Sequence, residues 1–475
     1  MIVLSFYINN SETLKNLKEK KKAVVLGIGI SNLPLIRILC GMGISVTACD
    51  KKEINSLSCA EELQSLGVKL SLGDSYLSAL ENGDFVIFRS PGIRPDIKEI
   101  SDALARGCTL SSEMELFFEV CPARIIGVTG SDGKTTTTTL IYKMLTLECK
   151  KRGSGRVFVG GNIGSPLLPL ANEMTENDFA VVELSSFQLM TMKKSPNVSV
   201  ITNISPNHLN WHTDMAEYKA AKLNIFTSGN TDKLTVNLDC TETADILNVC
   251  GKETAYFSSR PLPEDKNGVY LDGNDIILRK NGVNTTVISA DDIIIPGDHN
   301  VQNYMTAISA VADYVSPETV KEIASTFPGV EHRCEFVREI NGIRFYNSSI
   351  DSSPTRTAAA LSSFDGNVIV IIGGRDKHLD LAPLAETLCT RAKTAVLTGE
   401  SIQMVVNALD SCLSYKSSGL KTVICEDFED AVITAYKEAV PGDVVILSPA
   451  FTSFDRFNNF EERGRLFKKT VNEIQ

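Results

Sequence analysis

No run of about 20 apolar residues occurs anywhere in this chain, so nothing in its 475 residues is long enough to cross a bilayer as a helix. The opening stretch, MIVLSFYINNSETLKNLKEK, holds a short apolar run without the core and small-residue cleavage site of a secretory signal. Basic clusters are also missing, apart from the lysine-rich stretch 18–22, which reads as the solvated lead-in to a strand. With a net charge of −11, this argues against nucleic acid as a partner. Twelve cysteines are present, yet they form no CxxC pair and no Cys/His cluster, which excludes a structural zinc site. Thiols scattered in apolar contexts, as at Cys40 and Cys425, are those of a reduced protein. There are no internal repeats, and the only low-complexity tract is a run of threonines. These absences lead to the expectation of a soluble, cytoplasmic protein.

What is present is a globular composition, with 43% hydrophobic and 22% charged residues, in a chain long enough for two to four domains. Its most informative stretch is ARIIGVTGSDGKTTTTTL, residues 123–140. A β-branched run is followed by Gly127, Gly130 and Gly133, then Lys134 and the threonines Thr135–Thr139. Strand, glycine-rich turn and helix start, in that order, form a phosphate cradle. Backbone N–H groups and the helix dipole face the anion, Lys134 adds a charge, and a threonine hydroxyl can reach a metal. The spacing is not a strict Walker A, because Val128 stands where its first glycine belongs.

Upstream, a strand at 23–26, the turn Gly27-Ile28-Gly29-Ile30-Ser31-Asn32, a helix and a second strand ending in Asp50 make a βαβ unit. Asn32 replaces the third glycine of a dinucleotide fingerprint, so the unit suits NAD, another nucleotide or simple packing. A further strand at 85–88 ends in Arg89-Ser90-Pro91-Gly92-Ile93, a loop that belongs to the same crevice. The chain pauses near 110–121, which puts a domain boundary around 112–122.

Downstream, Gly160-Gly161-Asn162-Ile163-Gly164 is a second glycine-rich turn, and the strand 179–184 is apolar except for Glu183. A carboxylate there must be paired in a salt bridge or bound to a metal. In the helix that starts at Met215, Lys222 shares the stripe of Met215, Tyr218, Ile225 and Phe226. Two readings fit. In one, a desolvated amine of lowered pKa reacts with CO₂ to give an anionic carbamate; in the other, the lysine snorkels to water. Residues 255–295 read as antiparallel, with hairpin turns at Asn267-Gly268, Asp272-Gly273 and Asn281-Gly282. A third unit starts near Phe327-Pro328-Gly329, with strands predicted at 343–346, 368–372, 395–398 and 444–447. The loops 347–357, 373–380 and 448–460 then hold its ligand groups.

Together these motifs resemble the Mur ligase family over residues 22–470. The resemblance is sharpest at VVELSSFQL (181–189), EHRCE (331–335), GGRDKHLDLAPLAE (373–386) and LSPAFTSFDRFNNFEERG (447–464), which point to the D-glutamate-adding branch. It implies a three-domain α/β chain, with an N-terminal Rossmann-like domain at 1–115 for the UDP-substrate and a P-loop-type ATPase domain at 116–328 with a small antiparallel excursion. A C-terminal Rossmann-like domain at 329–475 would take the incoming amino acid and close during turnover.

It also implies ATP and Mg²⁺ as cofactors, UDP-N-acetylmuramoyl-L-alanine and D-glutamate as substrates, an acyl-phosphate intermediate and action as a monomer. By resemblance, Ser31, Asn32, Asp50, Ser90, Pro91, Gly92, Asn162 and His208 face the UDP-substrate. Gly130, Ser131, Asp132, Gly133, Lys134, Thr135, Thr136, Asn300 and Arg333 contact ATP, while Thr135, Glu183, His208 and carbamylated Lys222 surround Mg²⁺. Lys134, Glu183, His208 and Lys222 form the catalytic set, and Ser352, Lys377, Ser453 and Phe460 hold D-glutamate.

Departures from the family pattern fall at Ser348 and Ile350, where an acid and a lysine are usual, and at Asn210. Asp351 is the expected substitute for the acid that meets the ATP ribose, and Ser352 for a threonine hydroxyl. Two alternatives stay open: a sister ligase using another amino acid, and a non-catalytic nucleotide-binding relative.

Overall fold

The computed structural model describes residues 11–229, 231–244, 253–364, 366–376 and 379–475. The chain divides into two compact units. One holds Met1–Ala290 with Gln302–Ile323, and the other Asp291–Val301 with Ala324–Gln475. Among the described residues, no helix is long and apolar enough to cross a membrane.

The first unit contains two sheets. The smaller is wholly parallel, in the order Lys69–Leu72, Ser45–Asp50, Lys22–Leu26, Val86–Arg89, Thr109–Ser111. Chain order reverses beside Lys22–Leu26, so the loops after that strand and after Val86–Arg89 open at one switch point, where ligands sit on such sheets. The larger sheet has nine strands, with Arg124–Thr129 between Phe179–Glu183 and Val198–Ile201. Burial on both faces explains why these strands read as mostly apolar runs.

The segment 255–295 departs from its expected antiparallel form. Glu253–Ser258 pairs parallel with Lys233–Asn237, and Gly268–Asp272 pairs parallel with Glu253–Ser258. Only Asp275–Lys280 and Val283–Ser289 run antiparallel, through turns at Asp272-Gly273 and Asn281-Gly282. Asn267-Gly268 is no hairpin turn. Gly268 opens a strand at φ 143° where a Cβ would collide with the Tyr256 backbone, so this glycine serves close approach. The expected pause at 110–121 is likewise structured, as a short strand and the helix Glu113–Val120. Ser112 caps that helix by accepting from the Glu115 amide at 3.0 Å.

The second unit is built on a six-stranded sheet, in the order Glu335–Ile340, Ile343–Asn347, Val444–Leu447, Val368–Gly373, Ala392–Thr398, Lys421–Ile424. The first pair is antiparallel and the rest are parallel. The edge strands Glu335–Ile340 and Lys421–Ile424 escape the sequence reading, because their partly exposed faces carry charges that dilute the apolar signal.

Candidate active site

The phosphate loop leaves the middle of the nine-stranded sheet and enters the helix Lys134–Arg152. Gly130, at φ 150°, lies where any Cβ would strike the Thr202 hydroxyl, and Gly133, at φ 75°, lies against the Asn303 side chain. These two positions need glycine. The loop is fastened from the neighbouring strand end. Ser131 Oγ donates to the Ser205 carbonyl at 2.9 Å, the Asp132 amide donates to Asn203 Oδ1 at 3.0 Å, and Thr202 Oγ1 donates to the Asp132 carbonyl at 2.6 Å. Lys134 folds back over the loop, its Nζ donating to the Gly130 and Ser131 carbonyls at 3.0 and 2.9 Å. Thr135 and Thr136 occupy the first turn of the helix, whose N-cap Gly133 offers no side chain to the first-turn amides. A helix start of this kind faces an anion with its amides and its dipole.

Glu183 ends the strand beside this loop, in register with Val128, and is 1% exposed. Its Oε1 accepts from Asn162 Nδ2 at 2.8 Å, and its Oε2 is buried without a hydrogen-bond partner. A buried carboxylate oxygen is costly in that state unless something absent from the protein meets it.

Lys222 does not reach water: it is 2% exposed, on the buried face of the helix Met215–Thr227 with Tyr218, Ala221, Ile225 and Phe226. Its Nζ donates to the Gly130 carbonyl at 2.6 Å and lies 4.6 Å from the Tyr218 ring centroid. Burial, helped by the charge of Lys134, brings its pKa down to about 7. His208 sits at φ 55° with its ring 5.0 Å from that of Phe187. Burial first, then the charges of Lys134, Lys222 and His212, lower its pKa and favour the neutral imidazole. Lys134, Glu183, His208 and Lys222 thus share one electrostatic neighbourhood.

Mg²⁺ fits this neighbourhood. Among the described residues no three His, Cys, Asp or Glu side chains gather into a cage. That ion takes one or two carboxylates and completes its shell with water and substrate phosphates. The free Glu183 oxygen is such a donor.

At the smaller sheet, Asn32 is 4% exposed, and its Nδ2 donates to the Leu26 and Gly27 carbonyls at 3.2 and 2.8 Å. It braces the turn. Asp50 accepts from the Ile28 amide at 2.8 Å and the Lys52 amide at 3.0 Å, while Ser31, Ser90 and Pro91 are half-buried and Gly92 is exposed. Arg89 and His212 also belong to this region. Arg89, 1% exposed, donates to the Pro91 and Ile93 carbonyls at 3.1 and 2.6 Å and, from its other nitrogen, to the Phe187 carbonyl at 2.8 Å. His212, 2% exposed, shares a hydrogen bond of 2.9 Å with Ser186 Oγ. The only available signal was a charged or polar residue beside a strand end or an apolar helix.

In the second unit, Asn300 is buried and donates to the Pro296 carbonyl at 2.7 Å, and Arg333 is exposed on a tight turn, its amide bonded to the Val330 carbonyl. Ser352 is half-buried and Ser453 is 3% exposed. Phe460 opens the helix Phe460–Glu473, and its carbonyl accepts from Ser349 Oγ at 2.8 Å. Lys377 lies outside the described residues. Asp351 turns inward, against the expectation that it meets the ATP ribose. Its carboxylate accepts from Ser448 Oγ at 2.9 Å, and burial raises its pKa.

Arg463, which no local sequence pattern marks, is 2% exposed. Its guanidinium donates to Ser349 Oγ and carbonyl at 3.0 and 2.9 Å, to the Gly373 carbonyl at 3.2 Å and to the Phe451 carbonyl at 3.2 and 3.3 Å. One side chain therefore gathers the loops that follow three of the unit's parallel strands.

Comparison with known proteins covers nearly the whole chain. Family models described as Mur ligase MurD-like N-terminal domain, Mur ligase middle domain, and Mur ligase glutamate ligase domain match residues 21–112, 128–311 and 332–451. A Ruminiclostridium cellulolyticum protein named UDP-N-acetylmuramoylalanine–D-glutamate ligase is 48% identical over 471 residues, 98% of this chain and 100% of that one. One of the same name from Acetivibrio thermocellus is 47% identical over 97% of this chain and 98% of its own length. Among solved structures, a pseudomurein peptide ligase type C from Methanothermus fervidus shares the fold, with a TM-score of 0.51, 18% identity, and coverage of 96% of this chain and 100% of that one.

Proposed function

The chain belongs to the Mur ligase family, and from that premise we propose that it is the ATP-dependent ligase that joins D-glutamate to UDP-N-acetylmuramoyl-L-alanine in peptidoglycan precursor synthesis. Relatives bearing that name match it at 44–48% identity over nearly their full length, which favours this acceptor over that of a sister ligase. The observation that carries the chemistry is the unpartnered, buried Glu183 oxygen in register with the phosphate-loop strand. A pure nucleotide binder has no use for it.

The γ-phosphoryl of ATP passes to the alanyl carboxylate, releasing ADP and leaving an acyl phosphate. The amine of D-glutamate then attacks the acyl carbon, loses a proton and expels phosphate as the amide forms. When bound, Mg²⁺ supplies the charge neutralisation that lets two anions meet; Thr135, Glu183, His208 and Lys222 would hold it. Lys134 and the amides of the first helical turn orient the nucleotide phosphates. His208, whose imidazole is kept neutral first by burial and then by cationic neighbours, offers one N–H donor and one ring-nitrogen acceptor to the reacting groups.

Lys222 is proposed to act as a carbamate. With its pKa brought down to about 7, a substantial fraction of its amine is neutral near pH 7, the form that captures CO₂, and the added carboxylate would turn a buried amine into an oxygen donor. Residues Ser31, Asn32, Asp50, Ser90, Pro91, Gly92, Asn162 and His208 are proposed for the UDP-substrate. For ATP the set is Gly130–Thr136, Asn300 and Arg333, and for D-glutamate it is Ser352, Lys377, Ser453 and Phe460. The domain division 1–115, 116–328 and 329–475 is proposed with them, each part carrying one sheet with its own ligand-facing loops. The substrates are cytoplasmic metabolites, which supports a cytoplasmic location.

The test is phosphate release with ATP, Mg²⁺, UDP-N-acetylmuramoyl-L-alanine and D-glutamate, each omitted in turn. Release is expected only from the complete mixture. Turnover without D-glutamate, or undiminished turnover with L-glutamate, sinks the reading.

A further inference from the structure

Arg94 lies two residues beyond Gly92, on the loop proposed for the UDP-substrate, and its guanidinium is used on every edge. Nε and Nη2 donate to Asp96 at 2.8 and 2.7 Å, and Nη2 and Nη1 to Glu217 at 2.8 and 3.1 Å. Nη1 also donates to the Trp211 carbonyl at 2.7 Å, and Cζ stands 5.0 Å from the Trp211 ring centroid. Trp211 Nε1 reaches back to the Gly92 carbonyl at 3.3 Å. The two segments therefore hold each other from both sides.

The far side of this clamp leads into the catalytic neighbourhood. Glu217 sits in the first turn of the helix that carries Lys222, and it accepts from the Thr213 amide at 2.9 Å. It also meets His212 Nδ1 at 3.2 Å, and the other ring nitrogen of His212 bonds Ser186, three residues past Glu183. Phe187, next in the chain, packs on Trp211, His208 and His212. Arg94, above all, holds the Glu217 carboxyl down to about 2, so the pair stays ionised throughout the neutral range.

We propose that Arg94 is a positioning residue. By clamping the Gly92 loop to Trp211 and Glu217, it transmits occupancy of that loop by the uridine diphosphate group to the segment 208–222 that bears His208 and Lys222. This rests on the proposed UDP-binding role of the loop. A planar, forked guanidinium is required, because it serves two carboxylates and a carbonyl while stacking on an indole. A simple staple would only hold the segments together.

Hydrogen exchange with UDP alone as the probe separates these cases. In the parent protein, UDP is expected to protect both the 90–94 loop and the 208–217 segment. In Arg94→Met it should still protect the loop but no longer the segment. With the full substrate set, Arg94→Met should lower kcat/KM for the nucleotide-sugar about tenfold or more, leave the KM for ATP within about twofold, and not be rescued by Arg94→Lys. Glu217→Gln should reproduce both effects in weaker form. Protection of 208–217 that persists in Arg94→Met, or is absent from the parent, overturns the proposal, as does a variant that loses only thermal stability. If the parent binds UDP yet never releases phosphate, the ligase reading fails and the exchange data still decide the clamp.

Discussion

Glu113 is 5% exposed at the start of the helix Glu113–Val120, and its Oε1 has no hydrogen-bond partner. Burial, only partly offset by the Leu168 amide, pushes its carboxyl from 4.5 up to about 7. The folded state therefore holds this proton more tightly than the unfolded chain does. Its contribution to stability is complete below the unfolded value and is lost as pH rises through about 7, amounting to about 3 kcal/mol across that span. Glu113→Gln keeps the shape and has no proton to lose. Relative to the parent it should be close to neutral near about pH 5 and more stable by about 2–3 kcal/mol near about pH 8. At roughly 2 °C or more per kcal/mol, thermal melts should separate by about 5 °C at the higher pH and by little at the lower. Glu115, buried on the same helix and also raised to about 7, adds its own pH slope to both proteins, so only their difference is read. Equal separation at both pH values, or a variant that becomes the weaker partner at high pH, would mean that the carboxylate is ionised and paired, and would refute the reasoning.

Other substitutions test the site. Glu183→Gln should lower kcat about a hundredfold or more while leaving the melting temperature unchanged or raised, because it removes a buried charge with a free oxygen; phosphate release and a melt read both. Lys222→Ala should lose most activity and regain part of it with added short carboxylic acids; full activity without them would eliminate the carbamate. Arg463→Lys should raise the KM for D-glutamate about tenfold with little effect on the KM for ATP, since an ammonium cannot span the three loops.

Much of the site is legible in sequence because its residues break a local rule. Glu183 interrupts an apolar strand, Lys222 sits on an apolar stripe, and Gly130 and Gly133 punctuate a strand-to-helix turn. Each anomaly can be seen within a few residues. Arg89, Arg94 and Arg463 escape because their partners are distant in sequence: Arg89 bonds Phe187, Arg94 bonds Glu217, and Arg463 bonds Ser349. The direction of the strand Gly268–Asp272 is hidden for a related reason. An Asn-Gly pair favours a hairpin by local preference, whereas Gly268 answers to the Tyr256 backbone lying against it. Asp351 shows the same limit, since only the fold shows that Ser448 claims its carboxylate.

The acceptors of Arg463 are mostly main-chain carbonyls, at Ser349, Gly373 and Phe451. A carbonyl is the same whichever residue carries it, so this anchorage is blind to the side chains of the loops it ties. Side chains along these loops can therefore change, and with them the amino-acid recognition proposed for this unit, without disturbing the anchorage. The arginine itself has no such freedom. Within this unit, a change in the loop side chains leaves the anchorage whole and a change at Arg463 does not.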